Sequence, residues 1–226
     1  MSFDGPDTQD YENVIALNQA YLSLLRRDKE LRRGLSSCAE PLQHRLRELT
    51  QHQTDRLAEA PFLLFSFREC DDLYWNRILK DAGNADLFRP TASEDVDTLI
   101  SAALGFVWQL AKRNPYALRL FCGATLYWCE RIAELTFYRL LEAVRGSGDV
   151  PVLRIAGRNE LWRKLLENGV SRQNTIRHAA QLSALQAVLT DPPENSRSET
   201  WSLAARNVRA PGLKVAEQID TTQRDR

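Results

Sequence analysis

The sequence predicts an all-α protein, a multi-helix bundle built around a central antiparallel pair of helices. Apolar residues recur at helical spacing in successive segments along the chain. Several of these segments follow a Ser, Thr or Asn and end at Gly or Pro, which are helix start and stop signals. A hydrophobic content of 43% over 226 residues is enough to form a substantial core.

The central pair is predicted over residues 94–113 and 116–144. Ser93 precedes a cluster of acidic residues and therefore predicts a helix start, because its hydroxyl can cap free amides and carboxylates favour the positive end of the helix dipole. The apolar pattern that follows is broken at Asn114-Pro115. Segment 116–144 carries dense aliphatic and aromatic residues over about half of its circumference, which predicts one buried core helix that stops near Gly146.

Before this pair, a short disordered tip over residues 1–10 and a series of helices are predicted. Segment 61–67, PFLLFSF, favours helix or irregular structure over a strand. A loop follows at 81–90, which is rich in Gly, Asn, Asp and Pro. The predicted helices are one over 10–33 that stops at Gly34, one through Leu42 and Leu49 capped by Ser36 or Ser37, one capped by Thr50, and one over 71–79.

The first helix carries a narrow apolar stripe formed by Leu17, Tyr21, Leu24 and Leu25. A stripe of this size is too small to hold a helix in place alone. We therefore expect it to pack on a second copy of the chain or on the later helices. The four residues are our candidate dimer interface.

After the central pair, residues 160–190 predict two helices joined by a turn at Gly169-Val170, a possible helix-turn-helix. The first turns of its second helix carry Arg172, Gln173, Asn174 and Arg177. Side chains of these types reach phosphates and base edges when a recognition helix enters the major groove, so they are the candidate DNA-binding residues. An ordinary helical hairpin is the alternative. The apolar residues of this helix, Ile176 and Leu182 among them, are predicted to face inward, and residues 191–226 predict a poorly ordered tail.

Composition and charge exclude several classes of protein. Lys plus Arg and Asp plus Glu number 30 each, so no overall field attracts the chain to nucleic acid or to an anionic membrane. The charged residues within 116–144 exclude a membrane span. The polar, acidic N-terminus does not resemble a signal peptide and predicts a cytoplasmic protein. Four cysteines without a CxxC pair predict reduced, buried thiols.

Motifs that carry catalysis are missing from the sequence, which contains no GxSxG, P-loop, GxGxxG or HExxH pattern. His44, His52 and His178 lack the spacing of zinc ligands and are predicted at the surface. Glu130 and Glu134 lie one turn apart, but no histidine stands near them to complete a di-metal site. We therefore predict no enzyme, no cofactor and no metal site.

Two blocks in the first third of the chain carry a family pattern. The first block contains Asn18, Tyr21, Leu22, Leu24, Asp28-Lys29 and Arg33-Gly34-Leu35. The second contains Leu49-Thr50, Gln53, Arg56-Leu57-Ala58, Leu63-Leu64 and Phe67-Arg68. Through these residues the segment 11–70 resembles FlhD, the subunit of the bacterial flagellar master regulator, with a slightly shorter spacing between the blocks.

The resemblance implies a helical, self-associating module over residues 11–90, followed by a helical core over 91–190 that the family does not have. In that family the subunit dimerises and joins a zinc-carrying partner subunit to activate promoters. We therefore expect a cytoplasmic bacterial transcriptional regulator that forms a homodimer and engages a partner subunit or DNA. The alternative is a helical adaptor that binds protein and no nucleic acid.

Overall fold

The structure is a computed structural model that describes residues 5–35, 38–82 and 93–190. It confirms the all-α, multi-helix prediction. In the described ranges no helix is both long and apolar enough to cross a bilayer. The helices are α1 (Thr8–Arg27), α2 (Lys29–Arg33), α3 (Glu40–Arg47), α4 (Gln51–Ala58), α5 (Asp72–Asp81), α6 (Glu94–Arg113), α7 (Pro115–Cys122), α8 (Leu126–Glu134), α9 (Phe137–Ser147), α10 (Asn159–Asn168) and α11 (Asn174–Thr190).

Helix α6 is the element around which the core is assembled. Its start and end are those that the sequence predicts, with Ser93 Oγ accepting a hydrogen bond from the backbone N–H of Val96 at 3.4 Å. It packs against α1, α7, α8 and α9. The buried face of α6 consists of Val96, Leu99, Ile100, Ala103, Leu104, Val107, Leu110 and Ala111.

The prediction of one helix over 116–144 is wrong, because this segment forms α7, α8 and α9. Gly123 ends α7 in the left-handed conformation with φ of 64°. Thr125 and Thr136 then cap α8 and α9, since their side chains accept hydrogen bonds from the backbone of Trp128 and Arg139 at 3.1 and 3.2 Å. In place of the second helix of the predicted pair, three short helices pack against α6.

The N-terminal region differs from its prediction in two details. Helix α1 begins at Thr8, where Asp7 and Asp10 form a reciprocal capping box, so part of the predicted tip is helical. The predicted helix 10–33 is broken at Asp28, whose extended backbone separates α1 from α2. The predicted caps Ser36 and Ser37, the greater part of the loop 81–90 and the tail 191–226 lie outside the described residues.

Segment 61–67 is irregular apart from a two-residue strand, in agreement with the preferred prediction. Strand β1 (Phe65–Ser66) pairs antiparallel with β2 (Val152–Leu153), with Phe65 opposite Leu153. The side chains of residues 62 to 65 are completely buried. The small sheet therefore anchors an irregular but apolar segment in the core.

Candidate functional site on helix α11

Helices α10 and α11 pack against each other across the turn at Gly169-Val170, as the sequence predicts. A Cβ atom on Gly169 would lie 2.5 Å from the backbone oxygen of Leu165, so this tight turn requires glycine. Ser171 Oγ accepts a hydrogen bond from Gln173 N at 3.2 Å, and α11 begins at Asn174.

The four candidate DNA-binding residues do not share one surface. Arg172, Gln173 and Asn174 are exposed where α11 begins. Arg177 points towards the protein, and its side chain is 11% exposed. Its Nε lies 2.9 Å from Glu59 Oε2, although the Nε–H does not point at a hydrogen-bond acceptor, so this contact is an ion pair without a hydrogen bond.

Polar contacts with α4 hold the inner side of α11. The amide Nε2 of Gln181, which is buried, donates to the backbone oxygen of Arg56 at 3.1 Å. Arg56 Nη1 in turn donates to the backbone oxygen of Val170 at 3.3 Å, in the turn before the helix. These contacts, together with the ion pair of Arg177, fix which side of α11 meets solvent.

The exposed side of α11 is apolar or neutral. Ile176 and Leu182, predicted to face inward, are 41% and 59% exposed, so that prediction is wrong. Arg177 is the only Asp, Glu, Lys or Arg residue between positions 174 and 190, and its side chain faces inward. We call the exposed side the α11 face, and it consists of Thr175, Ile176, His178, Ala179, Leu182, Ser183 and Gln186.

The candidate dimer stripe is buried within a single chain. Leu17, Tyr21, Leu24 and Leu25 all belong to the core, and α1 packs on α4 and α6. The ring of Tyr21 lies 4.9 Å from that of Phe65, and burial raises the pKa of its hydroxyl. Two packings were considered for the stripe, and the structure shows packing on later helices of the same chain. Dimerisation stays a prediction, and a dimer would have to form through another surface.

A buried ion pair that the sequence did not reveal connects β1, β2 and α7. Arg154 contacts Glu69, and both side chains are buried. Ser66 Oγ also donates to Glu69, and Trp162 Nε1 donates to the backbone oxygen of Arg154 at 2.8 Å. The neighbouring residues Arg68 and Ile155 adopt positive φ values of 60° and 50°, which is a strained conformation for non-glycine residues.

Three of the four thiols lie around this ion pair, and their environment disfavours the thiolate form. Burial, together with the negative charge of Glu69, raises the pKa of Cys70 to about 11 and that of Cys129 to about 12. Burial likewise raises the pKa of Cys122 well above its ordinary value. Cys38, Cys122 and Cys129 are buried, as predicted, whereas Cys70 is partly exposed.

The other candidate groups occupy the surface. His44, His52 and His178 are exposed, as predicted, and Glu130 and Glu134 are exposed as well. Among the residues described, no group of three or more His, Cys, Asp or Glu side chains could hold a metal ion.

Residues of the FlhD-like pattern have roles inside the fold. Asn18 is completely buried, and Thr50 and Gln53 form the capping box of α4. Leu57, Ala58, Leu63 and Leu64 belong to the core. Comparisons of the chain with protein-family models, with curated proteins and with solved structures found no match. The resemblance to FlhD therefore stays a prediction that rests on residues 11–70.

Proposed function

We propose that this chain is a bacterial cytoplasmic regulatory protein that acts by associating with protein, and that the α11 face is its contact surface. The observation that supports the proposal is the character of this face. It exposes Ile176 and Leu182 and carries no formal charge. Exposed apolar groups on one helix face are typical of protein contacts, since they gain free energy when a partner removes them from water.

The same face is poorly suited to DNA. Affinity for DNA depends on Lys and Arg side chains that neutralise phosphates, and most contacts to the duplex go to the backbone. Arg177 is paired with Glu59, which leaves Arg172 as the exposed arginine next to the start of α11. Among the functions considered, this distribution of charge favours the adaptor.

A second copy of the chain is the partner that fits this face best. In a two-fold symmetric dimer the same patch meets itself, so a charged patch would place like charges together. The α11 face avoids that repulsion, because its residues are apolar or neutral. Self-association is also what the resemblance to FlhD implies.

Sedimentation velocity over a range of protein concentrations tests this proposal. A dimer is expected, and Leu182→Glu should weaken it about tenfold or more, because two carboxylates would then be buried in the symmetric contact. Leu73→Glu is the matched control, since Leu73 on α5 is 83% exposed and lies outside the α11 face. A wild-type chain that remains monomeric, or equal effects of both substitutions, would contradict the proposal.

A second candidate function, transcriptional regulation by direct contact with DNA, is favoured by the exposure of Arg172, Gln173 and Asn174 at one point of the surface. Arg172→Ala is the cleaner test, because substitution of Arg177 also removes the ion pair with Glu59. If Arg172 contacts a phosphate, the substitution should weaken binding to a promoter fragment and reduce the salt-dependence slope by about one. Unchanged binding and slope would exclude this role for Arg172.

A further inference from the structure

His178 is the one ionisable side chain of the α11 face. The other residues of the face are apolar or carry only hydroxyl or amide groups, which do not titrate near neutral pH. His178 is exposed and lies four positions before Leu182, a spacing that makes two residues neighbours on the surface of a helix. The neutrality of the face, on which the proposed self-association depends, is therefore a property of the unprotonated imidazole.

Charged groups on the helices that pack against α11 do not neutralise a charge on His178. Helix α11 packs on α7 and α10 and contacts α4. Arg163 on α10 pairs with two carboxylates of its own helix, and Glu59 beside α4 pairs with Arg177. The other ionisable side chains of these helices are His52, Asp55, Arg56, Tyr116, Arg119, Cys122 and Lys164. In the part of the chain that the structure describes, none of these groups hydrogen bonds or pairs with His178, so a proton there adds a charge without a partner.

A contact between two copies of the α11 face would disfavour that charge. Histidine is the side chain whose charge ordinarily changes between about pH 5 and pH 8. In the monomer water hydrates a protonated His178, because the side chain is exposed. In a two-fold symmetric dimer both copies bring His178 to the same contact, so protonation places two positive charges among apolar and neutral groups. The loss of hydration and the repulsion both favour the neutral imidazole in the dimer.

We propose that His178 makes the self-association of this chain pH-dependent, with a dimer near neutral pH that separates into monomers as the pH falls below about 6. This inference rests on the proposed function, because it concerns the same α11 face. The direction follows from proton linkage: the dimer binds fewer protons than two monomers do, so added protons shift the equilibrium towards monomers. Two histidines titrate in each dimer, which makes the dependence on pH steeper than one group would give.

Sedimentation velocity of the full chain at pH 7.5 and at pH 5.5, at equal ionic strength, tests this inference. The dissociation constant of the wild-type dimer should rise about tenfold or more at the lower pH. His178→Gln keeps a neutral polar side chain and should give the same constant at both pH values. His178→Lys carries its charge at both and should already weaken the dimer at pH 7.5.

His52→Gln is the matched control, because His52 is exposed on α4 and lies outside the α11 face. It should keep the pH dependence of the wild-type chain. The chain contains three histidines, and Asp and Glu side chains ordinarily titrate near pH 4, so the two pH values report mainly on histidine. A general effect of pH on the fold would alter the His52 and His178 variants alike and is therefore separated from the effect of His178.

The outcomes distinguish this inference from the proposed function. A wild-type dimer with the same dissociation constant at both pH values would overturn the role of His178 and leave the dimer itself supported. A pH dependence that persists in His178→Gln, or a His178→Lys dimer as tight as the wild-type dimer at pH 7.5, would overturn it as well. A wild-type chain that is monomeric at pH 7.5 would contradict both, because no dimer would exist for protonation to separate.

Discussion

Arg154 Nη2 donates a hydrogen bond to Glu69 Oε1 at 2.8 Å, deep in the core. The same guanidinium donates to the backbone oxygens of Leu63 and Phe65, both at 2.6 Å, and to that of Cys122. One side chain thus holds the apolar segment around β1, the end of α7 and the strand β2 together. Its donors are all directed at the protein, which assigns Arg154 to the architecture of the fold.

Replacing Arg154 with methionine should destabilise the protein strongly. The apolar part of the side chain is kept, but Glu69 becomes a buried charge without its partner and several carbonyls lose their donor. Loss of one member of a buried ion pair costs about 3 to 5 kcal/mol of unfolding free energy. Urea unfolding followed by circular dichroism measures this loss.

Arg163→Met provides the control for this substitution. Arg163 also contacts two carboxylates, Glu160 and Glu167, but on the exposed side of α10, where ion pairs contribute little. Its unfolding curve should stay close to that of the wild-type chain. The double substitution Arg154→Met with Glu69→Met should recover part of the loss, because it removes both charges. Equal stability of the Arg154 and Arg163 variants would refute a structural role for the buried pair.

Gly123→Ala should separate the end of α7 from the end of α11. The new Cβ would lie 2.6 Å from Val188 Cγ1 and 2.7 Å from the backbone oxygen of Val188, at a residue whose φ is 64°. Overpacking and the left-handed backbone together should reduce the unfolding free energy by about 3 kcal/mol. Thermal unfolding of the variant measures the change.

Gly148→Ala is the matched control, because Gly148 has a similar φ of 68° but no atom within 4 Å of an added Cβ. It should cost about 1 kcal/mol, the contribution of the backbone conformation alone. Similar losses in both variants would show that the contact with Val188 has no energetic consequence.

These residues also show what the sequence could predict. The limits of α6 were predicted correctly, because its start and end depend on residues adjacent to it in sequence. Ser93 caps the start of the helix, and Asn114-Pro115 ends it. The breaks near Gly123 and Thr136 were missed, since the short helices α7, α8 and α9 all bury apolar residues and the pattern continues across the junctions. The threonine within each apolar run was the available signal for a new helix start, because threonine favours the N-cap position over the interior of a helix.

The direction of charged side chains could not be predicted, because it depends on partners that are distant in sequence. Arg154 and Glu69 are separated by 85 positions, and neither has a local feature that predicts burial. Arg177 was expected to point outward from a recognition helix. It points inward instead and pairs with Glu59, a residue that is distant in sequence. Because the side of α11 that carries Arg177 faces the protein, Ile176 and Leu182 on its other side are exposed.

Alkaline pH should destabilise the protein through its buried thiols. An unfolded thiol has a pKa of about 8.5. In the folded chain the pKa is raised to about 11 for Cys70 and to about 12 for Cys129. The stability contribution of each thiol is therefore intact below about pH 8.5 and is lost as the pH rises, because the unfolded state releases a proton that the folded state keeps.

The slope should approach about 1.4 kcal/mol per pH unit for each thiol between about pH 9 and pH 11. A triple variant with alanine at Cys70, Cys122 and Cys129 should lose less stability over this range than the wild-type chain. The comparison uses the slope, so a lower starting stability of the variant does not affect it. Urea unfolding at pH 8 and pH 10 gives the change in unfolding free energy with pH for each chain. The same change in the wild-type chain and in the triple variant would argue against protonated, buried thiols.

Asn18 offers a test of whether the FlhD-like pattern describes a fold or an interface. Its Nδ2 donates to the backbone oxygens of Ala58 and Phe62 at 3.2 and 2.9 Å, and its Oδ1 accepts from Leu64 N at 2.8 Å. Asn18→Ala leaves these backbone groups without partners and should cost at least about 3 kcal/mol of unfolding free energy. Asn76→Ala, on the exposed side of α5, should change little.

The dimerisation constant of the Asn18→Ala variant, measured where the variant is fully folded, completes this test. Asn18 is completely buried by α4 and the segment after it, so we expect its loss to affect folding and to leave association through the α11 face unchanged. A variant that folds with normal stability but fails to dimerise would reverse this assignment. In that case the first helix, with Leu17 and Tyr21, would be the interface that the resemblance to FlhD implies.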